Sequence, residues 1–409
     1  EREGDEPNVW NWDSPLLISP HDPARLYFAG RKLFRSDDRG NSWRAVSPEL
    51  HRGLDRNTLE VMGKVQTPEA TAKHMSTSIY GNCVALSESP LVEGLLYVGT
   101  DDGLVQVSEN GGETWRKVEN FPVVPERTYV SCLAASPISP DTVFATFDNH
   151  KVGDFKPYVL RSDDRGMTWK PIAGDLPERN TCYSIRQDPV KAEMLFVGTE
   201  YGAFASLDGG EKWWKVPGLP TISVKDVELQ TRECDLVLGT FGRGVYIAEN
   251  YAPLRELSEE LLAKDAHLFA VRDAVSFVPW ARLGSAKGWQ GSAYYGAANP
   301  PVAATFTYYL KDGLKGRKQQ RKDDKDRDLK TTYPSIGELR AEDRELEPKV
   351  LMEVRDAEGA LVTAFGVGSG AGLQRATWNL KYPSARPASS GDLPDGMAGG
   401  GPLAPAGDY

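Results

Sequence analysis

Short apolar runs bounded by turn residues recur along the first part of the chain. Leu26-Tyr27-Phe28, Leu96-Tyr97-Val98, Val143-Phe144-Ala145, Leu195-Phe196-Val197 and Leu236-Val237-Leu238 are too short for helices and rich in strand formers. Most are preceded by a second run that leads to a proline, as in Leu16-Leu17-Ile18-Ser19-Pro20 and Leu133-Ala134-Ala135-Ser136-Pro137. Three are followed by a Gly-Thr turn, Gly99-Thr100, Gly198-Thr199 and Gly239-Thr240. The pattern predicts four short strands per unit of about 45 residues, the layout of a β-propeller blade. Full units fall at 14–48, 82–120, 130–174 and 182–217, and a fifth at 224–257 keeps three strands. Pro253-Leu254-Arg255-Glu256-Leu257 is expected to supply its outer strand.

Each full unit carries one motif, Ser-x-Asp/Asn-x-Gly-x-x-Trp, at Ser36–Trp43, Ser108–Trp115, Ser162–Trp169 and Ser206–Trp213. Asp38, Asn110, Asp164 and Asp208 are expected to accept backbone amides and hold a turn. Gly40, Gly112, Gly166 and Gly210 supply a backbone angle other residues avoid. Trp43, Trp115, Trp169 and Trp213 bury apolar area as the next strand begins, each within its own blade. Four copies spread round a repeat are a structural device rather than four active sites.

The remaining chain changes character. His51 to Tyr80 is polar, without strand alternation, and reads as a long surface loop between the first two units. Ser258-Glu259-Glu260 before Leu261 and Leu262 signals a helix start. Residues 258–300 then read as helix and linker, with Trp280, Trp289, Tyr294 and Tyr295 in a Gly/Ala-rich stretch. Strands return at Ala304–Leu310, Val350–Val354, Leu361–Phe365 and Arg375–Leu380 and predict a small antiparallel β-sandwich over 301–409. A charged insertion at 311–347 has too few apolar residues to bury a core and is expected to be a mobile loop.

The formal net charge of −10 over 409 residues argues against nucleic acid as the main partner. No apolar run reaches the length of a membrane span. Cys83, Cys132, Cys182 and Cys234 form no Cys-x-x-Cys pair, and histidines are few, so neither a metal nor another cofactor is expected. The cysteines read as small core residues of inner strands. The chain does not start with Met and ends at Pro405-Ala406-Gly407-Asp408-Tyr409, so a piece of a longer protein is expected, with five blades of a larger ring and a sandwich truncated at its C-terminus.

The motif set resembles the Asp-box, or bacterial neuraminidase repeat, and most closely the sortilin-like propellers of large exported bacterial proteins. These carry a small immunoglobulin-like domain after the propeller and are often labelled glycosyl hydrolases. The resemblance covers residues 10–257; Ala376-Thr377-Trp378-Asn379-Leu380 and the last five residues carry a weaker one to the C-terminal domain. It implies an all-β chain, with an Asp-box propeller over 1–257 followed by an immunoglobulin-like sandwich. It also implies a secreted, periplasmic or cell-surface location and a non-catalytic propeller that binds protein or peptide. The alternative is a carbohydrate-active enzyme, xyloglucanase-like, acting on polysaccharide. Asp-boxes occur in sialidases, xyloglucanases and a photosystem assembly factor, so the motif does not choose an activity. A sialidase arginine triad is not found, nor is a Gly-x-Ser-x-Gly elbow before a helix.

Topology locates a ligand face. The motif lies between strands three and four, so the turn between strands two and three is at the opposite end, where loops vary on a rigid scaffold. That face is expected to carry Arg31, Asp148 and Asp154 and the binding candidates Asp101, Asp102, Glu200, Tyr201, Phe241 and Arg243. Asp102, Glu200 and Arg243 rank first because they repeat at one blade position. No residue is assigned as catalytic.

Overall fold

The computed structural model describes residues 8–61, 63–67, 69–70, 81–278, 300–326, 333–346, 348–384 and 401–409. The chain divides into two compact units, Glu1–Arg255 and Glu256–Tyr409. The aromatic stretch with Trp280, Trp289, Tyr294 and Tyr295 lies outside the described residues, as does 71–80 of the first insertion.

The first unit is built of antiparallel sheets that follow one another along the chain, like the blades of a propeller. Blade one pairs Leu16–Ile18, Leu26–Ala29, Leu33–Ser36 and Arg44–Ala45 in sequence order. Blade two (Cys83–Glu88, Leu96–Thr100, Val105–Ser108, Arg116–Val118), blade three (Tyr129–Ala135, Val143–Asp148, Tyr158–Ser162, Lys170–Pro171) and blade four (Cys182–Gln187, Leu195–Thr199, Gly202–Ser206, Trp214–Lys215) repeat the order. Blade five has three strands, Val224–Gln230, Asp235–Thr240 and Val245–Ala248. Its expected outer strand is instead a 3₁₀ helix, Ala252–Glu256. Leu254 turns into the core beside Tyr251, and Arg255 pairs with Asp188 of blade four at 2.7 Å, which draws this segment off the sheet edge.

Apolar cores sit between successive blades. Tyr27, Leu33, Cys83 and Leu96 join blades one and two; Val105, Val107, Leu133 and Phe147 join two and three. Phe144, Val159, Ile185 and Val197 join three and four; Phe196, Ala203, Val227 and Leu238 join four and five. Among the described residues no such cluster joins blade five to blade one. Leu16 occupies the register position of Ile185, yet Leu16 is 65% exposed and Ile185 0%.

The Asp-box holds its turn as its residue types dictate. Ser36 Oγ donates to Asp38 Oδ1 (2.8 Å) and accepts the Gly40 amide (2.8 Å), while Asp38 Oδ1 accepts the Ser42 amide (2.8 Å). The same net recurs around Asn110, Asp164 and Asp208. Gly40, Gly112, Gly166 and Gly210 all have φ between 79° and 101°. Trp115, Trp169 and Trp213 differ from expectation, because they pack against the preceding blade as well as their own. A Cβ on Gly112 would meet Val46 O of blade one at 2.3 Å, and Trp213 Nε1 donates to Ile172 O of blade three at 3.1 Å. Trp213 is 6% exposed, whereas Trp43, in the first blade, is 41% exposed.

In the second unit Ser258 caps the short helix α1 (Glu259–Ala263). Ala266–Leu268, Ala304–Leu310 and Gly372–Trp378 form a three-stranded sheet, and Val350–Arg355 pairs with Leu361–Val367. Both share a core of Ala304, Val354, Val362 and Trp378. These five strands among the described residues do not show an immunoglobulin-like sandwich. The expected mobile loop at 311–347 contains two helices, α2 (Arg317–Asp326) and α3 (Ile336–Arg344). A capping box starts α3: Ser335 Oγ accepts the Glu338 amide, and Glu338 accepts the Ser335 amide at 2.7 Å. Arg321 grips Glu342 through two bonds of 2.8 Å, so charge pairs order a stretch that has no apolar core.

Candidate functional site

One backbone bond recurs on the face opposite the Asp-boxes. The amides of Asp101, Glu200 and Phe241 donate to the carbonyls of Asn82, Thr181 and Ser223, at 3.0, 2.9 and 2.9 Å. Each bond ties the turn after strand two to the residue just before its blade's inner strand, bringing turns and blade linkers together. The inner strand bulges at this end in four blades, leaving Val84, Ser131, Tyr183 and Lys225 outside the ladder. Bulges of this kind re-aim side chains beside functional surfaces.

A cleft of about 790 Å³ opens here over blades two and three. Its walls come from Asn11-Trp12-Asp13, from Leu54 and Glu60 of the first insertion, from Glu126 to Tyr129, and from Asp148 to Val152. Trp12 is 87% exposed. Tyr129 donates its hydroxyl to Asp13 Oδ2 (3.0 Å), and Lys151 Nζ lies 5.3 Å from its ring centroid. Burial, together with the carboxylates of Asp13, Asp101 and Asp148, pushes the Tyr129 phenol up. Asp148 accepts both the amide and Nδ1 of His150, at 3.0 and 2.6 Å.

The residues selected from the sequence separate into two groups. Asp101 lines the cleft but is buried. Its Oδ1 accepts the amides of Gly81 and Asn82 (2.7 and 2.9 Å), and its Oδ2 accepts Asn82 Nδ2 and Asn11 Nδ2 (3.3 Å each). Burial outweighs these donors, and with Asp102 adjacent pushes the carboxyl up to about 6. Asp102 is fully buried rather than displayed on a turn. It accepts Thr100 Oγ1 (2.6 Å) and the Arg52 amide (2.8 Å), anchoring the start of the insertion to blade two.

The second group lies on blades four and five. Glu200 accepts the Tyr183 hydroxyl at 2.6 Å, and Lys225 Nζ lies near the rings of both Tyr183 and Phe241. Tyr201 and Phe241 are 48% and 72% exposed, and Arg243 is exposed. The structure thus does not gather the six candidates around one point. Asp13, Trp12, Tyr129 and Lys151 were not singled out from the sequence. Trp10-Asn11-Trp12-Asp13 precedes the first blade, and its route over blades two and three has no local signature.

Asp38, Asp164 and their counterparts face the other end, each engaged within its own turn. Among the described residues no three His, Cys, Asp or Glu side chains converge as a metal site, and all four cysteines are free thiols. No helix among them is long and apolar enough to cross a membrane.

No family model matches the chain. Part of it is distantly similar to xyloglucanases. It is 29% identical over 139 residues to xyloglucanase Xgh74A of Acetivibrio thermocellus, covering 31% of this chain and 16% of that one. It is 26% identical over 228 residues to an oligoxyloglucan-reducing end-specific xyloglucanase of Emericella nidulans, covering 50% and 24%. This chain therefore spans less than a quarter of the length of either relative. Among solved structures, the GH74 xyloglucanase of Xanthomonas campestris aligns with TM-score 0.42 and 17% identity over 59% of this chain and 37% of that one. YCF48 of Cyanidioschyzon merolae aligns with TM-score 0.37 and 12% identity over 59% and 67%. The propeller-type assignment rests on the repeated four-stranded sheets themselves.

Proposed function

We propose that this chain is a non-catalytic propeller that binds polypeptide through the cleft over blades two and three. One observation carries the reading: the carboxylates of the turn face hold their own chain. Asp101 takes four N–H donors, Asp102 two partners, Asp148 the His150 ring and Glu200 the Tyr183 hydroxyl. What the cleft offers a ligand is the exposed Trp12 ring, the Tyr129 ring and rim charges of both signs from Glu60, Glu126, Arg127 and Lys151. A wall of exposed rings and mixed charge of this kind suits polypeptide with aromatic or basic side chains. An exported location accompanies this reading.

A second reading, hydrolysis of a xyloglucan-type polysaccharide, is favoured by the Asp101 carboxyl near 6 in a cleft it shares with Asp148. Display selection of peptides on the purified protein, followed by titration of tryptophan fluorescence, separates the two. Peptide binding is expected to weaken about tenfold in Trp12→Ala, as for loss of an aromatic anchor. Reducing sugar released from xyloglucan, and abolished by Asp148→Asn, would transfer the assignment to the second reading.

A further inference from the structure

Two tyrosines on the turn face repeat one arrangement. Tyr183 donates its hydroxyl to Glu200 Oε2 at 2.6 Å, and Lys225 Nζ lies 3.2 Å from its ring centroid. Tyr129 donates its hydroxyl to Asp13 Oδ2 at 3.0 Å, and Lys151 Nζ lies 5.3 Å from its ring centroid. A phenol that donates to a carboxylate carries a more electron-rich ring, and the face of such a ring attracts a cation. At Tyr183 the ammonium rests on the ring. At Tyr129 it stands well off the ring, near the limit over which the attraction acts.

The two rings also differ in their surroundings. Tyr183 is buried, and Lys225 of the next blade covers it. Tyr129 is half-buried and lines the cleft over blades two and three, as does the exposed ring of Trp12. Lys151 belongs to a one-turn 3₁₀ helix, His150–Val152, which ends at Gly153 with φ of 82°. Its side chain is exposed, and beyond the Tyr129 ring its ammonium has no hydrogen-bond or ion-pair partner among the described residues. Acidic groups predominate around it: Asp13, Glu60, Glu126 and Asp148 line the cleft against Arg127 and Lys151. Their field reaches the ring, since after burial it is Asp13, Asp101 and Asp148 that push the Tyr129 phenol up.

We propose that the face of Tyr129 is a seat for a lysine or arginine side chain of a bound polypeptide, and that Lys151 is the resident cation this side chain displaces. Lys225 on Tyr183 shows the filled form of the same seat within this molecule. The surrounding carboxylates favour a cationic side chain and disfavour an acidic one, while Lys151 holds affinity down by like charge. This inference rests on the assignment of the cleft to polypeptide, and adds to it the charge of the bound residue and a residue that restrains binding.

The probe is a heptapeptide of alternating glycine and arginine, with a counterpart in which citrulline, a neutral isostere, replaces each arginine. Both are titrated into the full chain by calorimetry. The arginine peptide should bind about tenfold tighter than the citrulline peptide, and its affinity should fall as salt rises. Lys151→Met keeps the stem and removes the charge. It should tighten binding of the arginine peptide about threefold with an unchanged melting temperature. Equal affinity for the two peptides, no binding of either, or a Lys151→Met variant that binds no tighter would overturn the proposal. The cleft assignment fails separately. Display-selected peptides that need Trp12 but carry no basic residue would sink the seat and keep the cleft, whereas selected peptides indifferent to Trp12→Ala would remove both.

Discussion

The ammonium of Lys225 in blade five lies 3.2 Å from the ring centroid of Tyr183 in blade four. Both residues occupy the bulge of their inner strands, so the contact couples two blades at the rim without a ladder bond. Lys225→Met keeps the stem and removes the charge. It should destabilise by about 0.5–1 kcal/mol, the range of an exposed cation–π pair. Tyr183→Phe retains the ring but strips Glu200 of its donor and should cost about 1 kcal/mol. A double-mutant cycle of Lys225→Met with Tyr183→Leu, which removes the ring, would read the coupling by urea unfolding, and strict additivity would refute it.

The Asp-box tryptophans should not be equivalent. Trp213→Ala removes a buried ring at the junction of blades three and four and should cost about 3–5 kcal/mol. Trp43→Ala removes a ring already 41% exposed and should cost less than half as much. Calorimetric melts of the two variants test this ordering, and equal losses would contradict it.

Acid sensitivity should concentrate in the same turns. The Ser42 hydroxyl and amide hold Asp38 down to about 2. At Asp164 burial opposes the shift, but the Thr168 hydroxyl and amide prevail and set it to about 2. A carboxyl depressed in the folded state stabilises above its unfolded value, about 3.9, and that contribution is lost as pH falls toward 2. Melting temperature should therefore drop across this window. The drop should be smaller in Asp164→Asn, which should also melt lower at pH 7. An unchanged acid profile in this variant would count against the assignment.

Arg255 and Asp188 form a two-pronged pair, Nε and Nη2 reaching the carboxylate at 3.0 and 2.7 Å, with the Asp188 side chain fully buried. Arg255→Ala leaves a buried charge without its cation, held by the amides of Val190 and Lys191 and the Tyr251 hydroxyl, and should cost about 3–5 kcal/mol. Asp188→Asn in the same background should recover part of that loss. No recovery in denaturant titration would place the cost elsewhere.

The repeat was legible because local chemistry writes it. Ser36, Asp38, Gly40 and Trp43 satisfy one another within a single turn, so spacing alone reveals the geometry. What escaped depends on partners far along the chain. Asp102 looks like an exposed turn residue until Arg52, fifty positions earlier, covers it. Trp213 reads as a residue of its own blade until Ile172 of the previous one appears beside it. The segment at 252–256 stands where an outer strand is due, but the pull of Asp188 on Arg255 outweighs the ladder. Ser335 and Glu338 did spell a capping box, and the charge around them masked it.

The recurring bulge has a consequence for how such a chain diversifies. Val84, Ser131, Tyr183 and Lys225 have no ladder partner, so exchanging one for another side chain breaks no strand pairing. An aliphatic, a hydroxyl, a phenol and an ammonium already stand at the four equivalent sites. Blades two to five thereby each carry one position near the rim whose side chain differs in chemistry from blade to blade while the scaffold beneath keeps its register.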